Sequence, residues 1–255
     1  MGQAAIKAVR HKFGKDANII ANWFGKENPE FTIEGANKTI FGDIADPNCV
    51  DEIQADTKGQ FDYMFYATAL GEVGVPIAEA LPESIAQSNR LSFDPIPDLE
   101  QQLDIKTIVA YSTFYVIGHQ LATYGAMGYS KEAIEKWTLE KGKSTHACIR
   151  AGLFESQSSR GIKLLLRKSA KNPENLKDPL LKSYFLGKSS KEGIKEFEEG
   201  IFKEEKEAYG DCRTNAEDLY QAHLSLFEAS DPLFVNVCGK KIWISEEPQL
   251  LKDYF

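Results

Sequence analysis

Apolar positions along the chain alternate between two spacings. Ala5, Ile6, Val9 and Phe13 recur at helical intervals and predict a helix from Gly2 to Phe13. Short, nearly unbroken apolar runs at residues 18–23, 39–41, 61–67 and 107–112 predict strands, with a helix over roughly residues 49–58 between the second and third. A loop and a helix carrying Lys131 follow the fourth run. Residues 146–150 then predict a strand that leads into the loop Ala151-Gly152-Leu153-Phe154-Glu155-Ser156. Residues 234–237 and 241–244 predict a closing strand pair around Gly239. Residues 157–210, rich in lysine and glutamate, read as helical and are too long for a simple crossover. Strands alternating with helices are the mark of a mostly parallel sheet covered on both faces. The expectation is therefore a three-layer α/β fold, a single domain over residues 1–255, with residues 157–210 inserted as a helical substrate lobe.

Composition narrows the function classes. The chain has 255 residues, 42% of them apolar and 27% charged, as in an ordinary soluble globular protein. No apolar run approaches a membrane span and no signal peptide is visible, which predicts a cytoplasmic protein with no membrane partner. A formal charge of -8 argues against nucleic acid as the main partner. Cys49, Cys148, Cys212 and Cys238 lie far apart without metal-ligand spacing, so reduced, packed thiols and no metal site are expected. His119 and His146 are isolated and read as structural.

Candidate chemistry concentrates in the run Tyr124-Gly125-Ala126-Met127-Gly128-Tyr129-Ser130-Lys131. Seven positions make about two helical turns, so the Tyr124 phenol and the Lys131 ammonium are predicted to share a face. An ammonium together with a cofactor ribose lowers the pKa of such a phenol and lets it donate a proton to substrate. Tyr129 is the rival phenol, pointing to a different side. Lys163, Arg167 and Lys171 fall at i, i+4 and i+8, a basic helix stripe with Lys168 beside it, whose plain reading is a solvated face.

These residues, in this order of elements, resemble the short-chain dehydrogenase/reductase superfamily. Its usual Tyr-x3-Lys register places Met127 at the tyrosine position. The enoyl-acyl-carrier-protein reductases instead use Tyr-x6-Lys, the spacing of Tyr124 and Lys131, and Met127 and Gly128 also match that family's segment Tyr-Asn-x-Met-Gly-x-Ala-Lys. The family loop Ala-Gly-Pro-x-x-Thr resembles Ala151 to Ser156, with Leu153 replacing proline and Ser156 replacing threonine. The family's Gly-Ile-Lys resembles Gly161-Ile162-Lys163. The likeness is strongest over residues 107–171.

The resemblance implies a Rossmann-like fold, NADH or NADPH as cofactor, and reduction of a trans-2-enoyl thioester in fatty acid synthesis. Tyr124 would assist at the enolate oxygen and Lys131 would bind the nicotinamide ribose. Tyr115 and Phe114, 16 and 17 positions before the lysine, stand at the family's aromatic position, with Ser112 close by. Asp43 would hold the adenine amine and Ile44 would lie against the ring. Ala67-Thr68-Ala69 would line the cofactor, as would Gly152, Leu153 and Ser156. Gly2 stands where the last glycine of a phosphate-binding turn belongs. Lys163, Arg167, Lys168 and Lys171 would meet an acidic acyl-carrier protein, and a homo-oligomer, dimer or tetramer, is implied. Two departures stand against this pattern. The strand and glycine-rich turn that should lead into Gly2 are not in the sequence, so that the chain reads as a fragment or as an inactive protein. Residues 71–106, marked by Pro76, Pro82, Pro95 and Pro97, are also too short for the long helix expected there. Two alternatives stay open: a short-chain dehydrogenase/reductase acting on a carbonyl or alcohol, and a non-catalytic Rossmann-like protein that has lost its nucleotide site.

Overall fold

The apolar stripe near the start forms α1 (Gly2–Phe13), buried along Ala5 and Ala8. In this computed structural model residues 1–28 and 30–254 are described, with the side chains of residues 56, 157, 158 and 169 outside the description. Arg10 fastens the turn after α1, donating from Nε to the Gly35 carbonyl at 3.0 Å and from Nη1 to the Ala17 carbonyl at 2.5 Å. The chain continues through β1 (Ile20–Trp23), β2 (Lys38–Phe41), α2 (Pro47–Thr57) and β3 (Gln60–Tyr66). Asp46 caps α2 by accepting from the Asn48 amide, and Pro47 occupies the first turn, where its missing N–H costs nothing.

In the proline-marked stretch, residues 71–106 hold two short helices, α3 (Pro82–Ser92) and α4 (Pro95–Gln102), in place of one long helix. Pro82 and Pro95 each open a helix rather than break one. α3 then packs against a later helix, where the Ser130 hydroxyl donates to Asn89 Oδ1 at 2.7 Å and lies 2.9 Å from the Ser88 hydroxyl.

β4 (Asp104–Thr113), the single-turn α5 (Gly118–Leu121), α6 (Gly125–Thr138) and β5 (Thr145–Ala151) follow. The lobe predicted over residues 157–210 consists of α7 (Gln157–Ser169), α8 (Pro179–Phe185) and α9 (Ser190–Tyr209). Ser189 and Glu192 form a capping box at the start of α9, and Gly210 ends it in the left-handed conformation at φ 90°. After α10 (Ala216–Glu228) the chain closes with β6 (Phe234–Cys238) and β7 (Lys241–Ser245), joined through Gly239 at φ 55°. A Cβ there would meet Asp211 Cγ at 2.4 Å, so glycine is required for space as well as conformation.

Five strands form one sheet in the order β3-β4-β5-β6-β7, parallel as far as β6, with β7 antiparallel. Side chains of β4 alternate between two cores. Ile108 and Ala110 join Ile134, Trp137 and Phe234 on the α6 side, whereas Val109 and Tyr111 join Leu219, Ala222 and Val235 on the α10 side. That burial on both faces is why the parallel strands read as continuous apolar runs. The three-layer α/β arrangement is therefore as expected, with one difference: β1 and β2 pair only with each other, and the sheet is split between β1 and β3. The lobe has its own core, in which Leu166, Leu181, Phe185, Phe197 and Ile201 surround Phe114. Among the described residues no helix is long and apolar enough to cross a membrane.

Candidate active site

A cavity of about 1800 Å³ lies between β1 and β3 and reaches the carboxyl ends of both strands. In open α/β sheets that end is where ligands bind. Gly2, Ile44, Ala67, Thr68, Ala69 and Ser156 all line this one cavity, although they come from four separate parts of the chain. Small side chains after β3 leave the backbone approachable there. At Gly2 an added Cβ would sit 3.8 Å from the Ala67 Cβ, an ordinary contact, so space does not demand glycine at this position. The first bond of α1 runs from the Ala5 amide to the Met1 carbonyl at 3.1 Å, leaving the amides of the first turn directed out of the helix start. Asp43 lies beside this group but outside the lining. Its carboxylate is engaged by Arg90 at 2.5 Å and by the Ala45 amide at 2.9 Å.

Lys131 is buried on α6, and its ammonium donates to the Tyr111 carbonyl on β4 at 2.9 Å. Burial pulls its pKa down to about 8, with Cys148 and Glu135 opposing the fall. Tyr124 immediately precedes α6 and is half-buried against the lobe core and against the cluster around Ile77 and Tyr115. Its hydroxyl has no protein partner among the described residues and is not one of the sealed polar atoms, so it is open to a ligand. Two expectations need correction here. Gly125, at φ 48°, departs from helical geometry between the two residues, so an unbroken helical face does not link Tyr124 to Lys131. The amide of Gly125 donates to the Val75 carbonyl at 2.9 Å, and a Cβ would meet the Glu72 carbonyl at 2.8 Å, which is why glycine stands there. The Tyr124 phenol is also shifted up, to about 12, by burial rather than lowered by the ammonium.

The aromatic companions are packed rather than presented. Tyr115 is fully buried, its hydroxyl donates to the Gln249 carbonyl at 2.5 Å, and burial pushes its pKa up. Phe114 stacks on Tyr209 at 4.0 Å between ring centroids and shares the lobe core with Tyr124. Ser112 donates to Glu135 Oε1 at 2.6 Å. Behind it Glu135 also takes Arg150 at 2.6 Å and the Gln249 amide at 2.7 Å, while Arg150 reaches the Glu247 carbonyl at 2.7 Å. This buried network escapes sequence reasoning because Glu135 and its partner Gln249 lie 114 positions apart.

The loop after β5 is anchored from the lobe. Gly152 donates to the Val237 carbonyl at 2.8 Å, and the Leu153 amide donates to Glu205 Oε1 at 2.5 Å. Glu205, on α9, is buried with its second oxygen unpartnered, and burial pushes its carboxyl up to about 7. Nothing in the surrounding sequence marks Glu205, since its partner is 52 positions away. Gly152 and Leu153 are thus held against β6 and the lobe, outside the cavity lining, whereas Ser156 lies in that lining and caps α7. Of the basic stripe, Lys163 pairs with Glu198 at 2.6 Å, and Arg167, Lys168 and Lys171 are exposed. His119 and His146 are not isolated: they pair with Glu204 at 2.7 Å and Glu100 at 3.0 Å.

No protein-family model matches the chain, and no curated protein matches it. Solved structures do. A gluconate 5-dehydrogenase from Burkholderia cenocepacia, crystallised with NADP and tartrate, is similar over 93% of this chain and 89% of its own, at 13% identity and a TM-score of 0.60. A short-chain dehydrogenase family protein from Francisella tularensis is similar over 92% of each chain, at 18% identity and a TM-score of 0.58. The NADH enoyl-acyl-carrier-protein reductase of Aquifex aeolicus is similar over 66% of this chain and 74% of its own, at 16% identity and a TM-score of 0.51. The fold of the chain is that of the short-chain dehydrogenase/reductases.

Proposed function

We propose that the protein is an NAD(P)H-dependent oxidoreductase that reduces a trans-2-enoyl thioester presented on an acyl-carrier protein. The observation that carries this reading is the position of Tyr124, whose unpartnered hydroxyl stands at the head of the helix bearing Lys131. The cavity lining at the strand ends fits a dinucleotide in part. Ile44 offers an apolar face to a ring, and Ala67 and Ala69 allow close approach. The described residues supply no glycine-rich turn ahead of α1 to cradle a pyrophosphate, so only the outward amides of the first turn face that charge. When bound, the nicotinamide supplies the hydride.

The chain's own residues would do the rest. Tyr124 would hydrogen-bond the thioester oxygen and stabilise the charge that develops there. A phenol kept at a pKa of about 12 remains protonated at neutral pH and so remains a donor. Lys131, held by the Tyr111 carbonyl, would place a positive charge beneath the reacting end while it stays protonated below about pH 8. Glu205 would hold the Leu153 backbone and with it the loop that closes over the cofactor. Arg167, Lys168 and Lys171 would meet the acidic carrier. Lys163 already has Glu198 as its partner.

A second reading, reduction of a carbonyl or oxidation of an alcohol, is favoured by the longer coverage of the gluconate 5-dehydrogenase than of the enoyl reductase. A panel of enoyl thioesters, ketones and alcohols, read by the absorbance of the reduced nicotinamide, separates the two. The expected result is turnover of enoyl thioesters that falls about 100-fold or more in Tyr124→Phe. That substitution removes a hydroxyl with no protein partner and leaves the fold intact. Turnover of ketones alone transfers the assignment to the second reading, and no turnover with NADH or NADPH on any of the panel sinks both.

A further inference from the structure

Glu204 and Glu205 stand side by side near the end of α9, the helix whose Phe197 and Ile201 help to build the lobe core. Neighbouring positions on a helix project about 100° apart, so the two carboxylates reach different parts of the molecule. Glu204 reaches back to α5. Its Oε2 accepts from the His119 amide at 3.1 Å, and a Cβ at Gly118 would meet its Oε1 at 2.8 Å. His119 Nδ1 also lies 2.7 Å from Oε2, but out of line for a hydrogen bond, so the backbone amide gives the directional link. Burial alone would raise the Glu204 carboxyl, yet the contacts from His119 and Gly118 outweigh it and hold the group below its ordinary range. The His119 ring is fixed from its other side, where Nε2 lies 2.9 Å from the Tyr184 hydroxyl on α8.

What Glu204 holds leads directly to Tyr124. α5 is a single turn with no side-chain cap at its own N-cap position, so the Glu204 carboxylate supplies an acceptor for its first amides. From that turn the Thr123 hydroxyl donates to the His119 carbonyl at 2.8 Å, and the Tyr124 amide donates to the Gln120 carbonyl at 2.8 Å. Glu205 reaches the other way. It takes the Leu153 amide at 2.5 Å, directly before Phe154, Glu155 and Ser156, which line the cavity. Tyr124 and Leu153 themselves both pack against the core that α9 helps to build. Two successive residues of one helix therefore fix the turn that delivers the phenol and the loop that borders the cavity.

We propose that Glu204 and Glu205 are positioning residues, through which the lobe sets where the Tyr124 hydroxyl stands relative to the cavity. Neither touches substrate. Their role rests on the reading of Tyr124 given above, and it makes the lobe a part of the catalytic frame as well as a cover.

Glu204→Leu and Glu205→Leu remove each acceptor at nearly unchanged volume, while Glu204→Gln and Glu205→Gln keep it. kcat and KM for an enoyl thioester are measured in all four, together with amide hydrogen exchange. Each leucine variant should lower kcat by about 10- to 100-fold, with KM within about twofold of the parent, and each glutamine variant should stay within about threefold of the parent kcat. Exchange should quicken by about tenfold or more at residues 119–124 in Glu204→Leu and at residues 152–155 in Glu205→Leu, and nowhere else in the lobe. Should a leucine variant fail to fold, Glu204→Ser or Glu205→Ser, too short to reach and open to water, takes its place. Local quickening with kcat unchanged overturns the positioning role. So does quickening spread evenly through the lobe, or an equal loss in the leucine and glutamine variants. A parent with no turnover removes the functional reading alone; the exchange measurement then decides the two clamps by itself, and unchanged exchange in the leucine variants overturns them.

Discussion

In the five-stranded sheet, Val109, Ile149 and Val235 are wholly shielded from water, each on a strand with a neighbour on both sides. In the two-stranded ribbon the sequence is nearly as apolar, yet Ile40 is the one fully buried residue of β1 and β2, and Trp23 is 41% exposed. The two regions do not differ in the kind of residue they use. They differ in what stands beside them: β4, β5 and β6 have strands at both edges and helices on both faces, while β1 meets a cavity. Shielding in an α/β sheet is a property of the neighbours as much as of the strand. The candidate chemistry follows the same division, since Lys131, Glu135 and Arg150 lie in the closed part and Ile44, Ala67, Thr68 and Ala69 line the cavity in the open part.

Substitutions on the two sides put that contrast at risk. The largest expected loss is in Arg150→Met, which leaves the Glu135 carboxylate buried without its cation and is expected to cost about 3–5 kcal/mol in urea denaturation. A loss as small as that of a surface pair would mean that water reaches the network. Ile108→Ala, at a position with no exposure, should cost about 2–5 kcal/mol. Next comes Glu205→Gln. A carboxyl raised from 4.5 to about 7 binds more protons folded than unfolded, so its contribution is fully present below about pH 4.5 and is lost as pH rises to about 7. The substitution should therefore leave stability unchanged near pH 4 and raise it by up to roughly 3 kcal/mol near pH 8 relative to the parent. A gain that is equal at both pH values would show that Glu205 stays ionised throughout. The smallest effect belongs to Ile20→Ala on β1, about 1 kcal/mol or less. A loss equal to that of Ile108→Ala would erase the difference between the two regions.

Local patterns carried most of the fold. α1 has the bounds its apolar stripe predicts, because a stripe flanked by polar residues defines both face and length. The β3 to β6 strands were legible for the opposite reason, being apolar on both faces. Pro82 and Pro95 open two short helices where one long helix was not expected to fit, but proline stops a helix from within and starts one at its first turn, and the letters alone do not say which. The relation of Tyr124 to Lys131 was half legible. Their spacing is real, but Gly125 takes a positive φ that ideal helical geometry does not allow for. Glu135 and Glu205 were not legible at all. Their roles depend on partners such as Gln249 and Leu153, which only the folded chain brings near.

The links made by Gln249 and its neighbours also bear on the order of assembly. Tyr115, Glu135, Arg150 and Glu132 all find partners among residues 247–251, across separations of 134, 114, 97 and 119 positions. Loops of that length must close before any of these bonds forms, and each closure costs chain entropy that local contacts do not. Helices such as α6 and the β4–β5 pair can form early, with their charges still solvated. The interior around Lys131 is then the last part of the molecule to become dry, so a refolding experiment that follows burial there should record the slowest event of all.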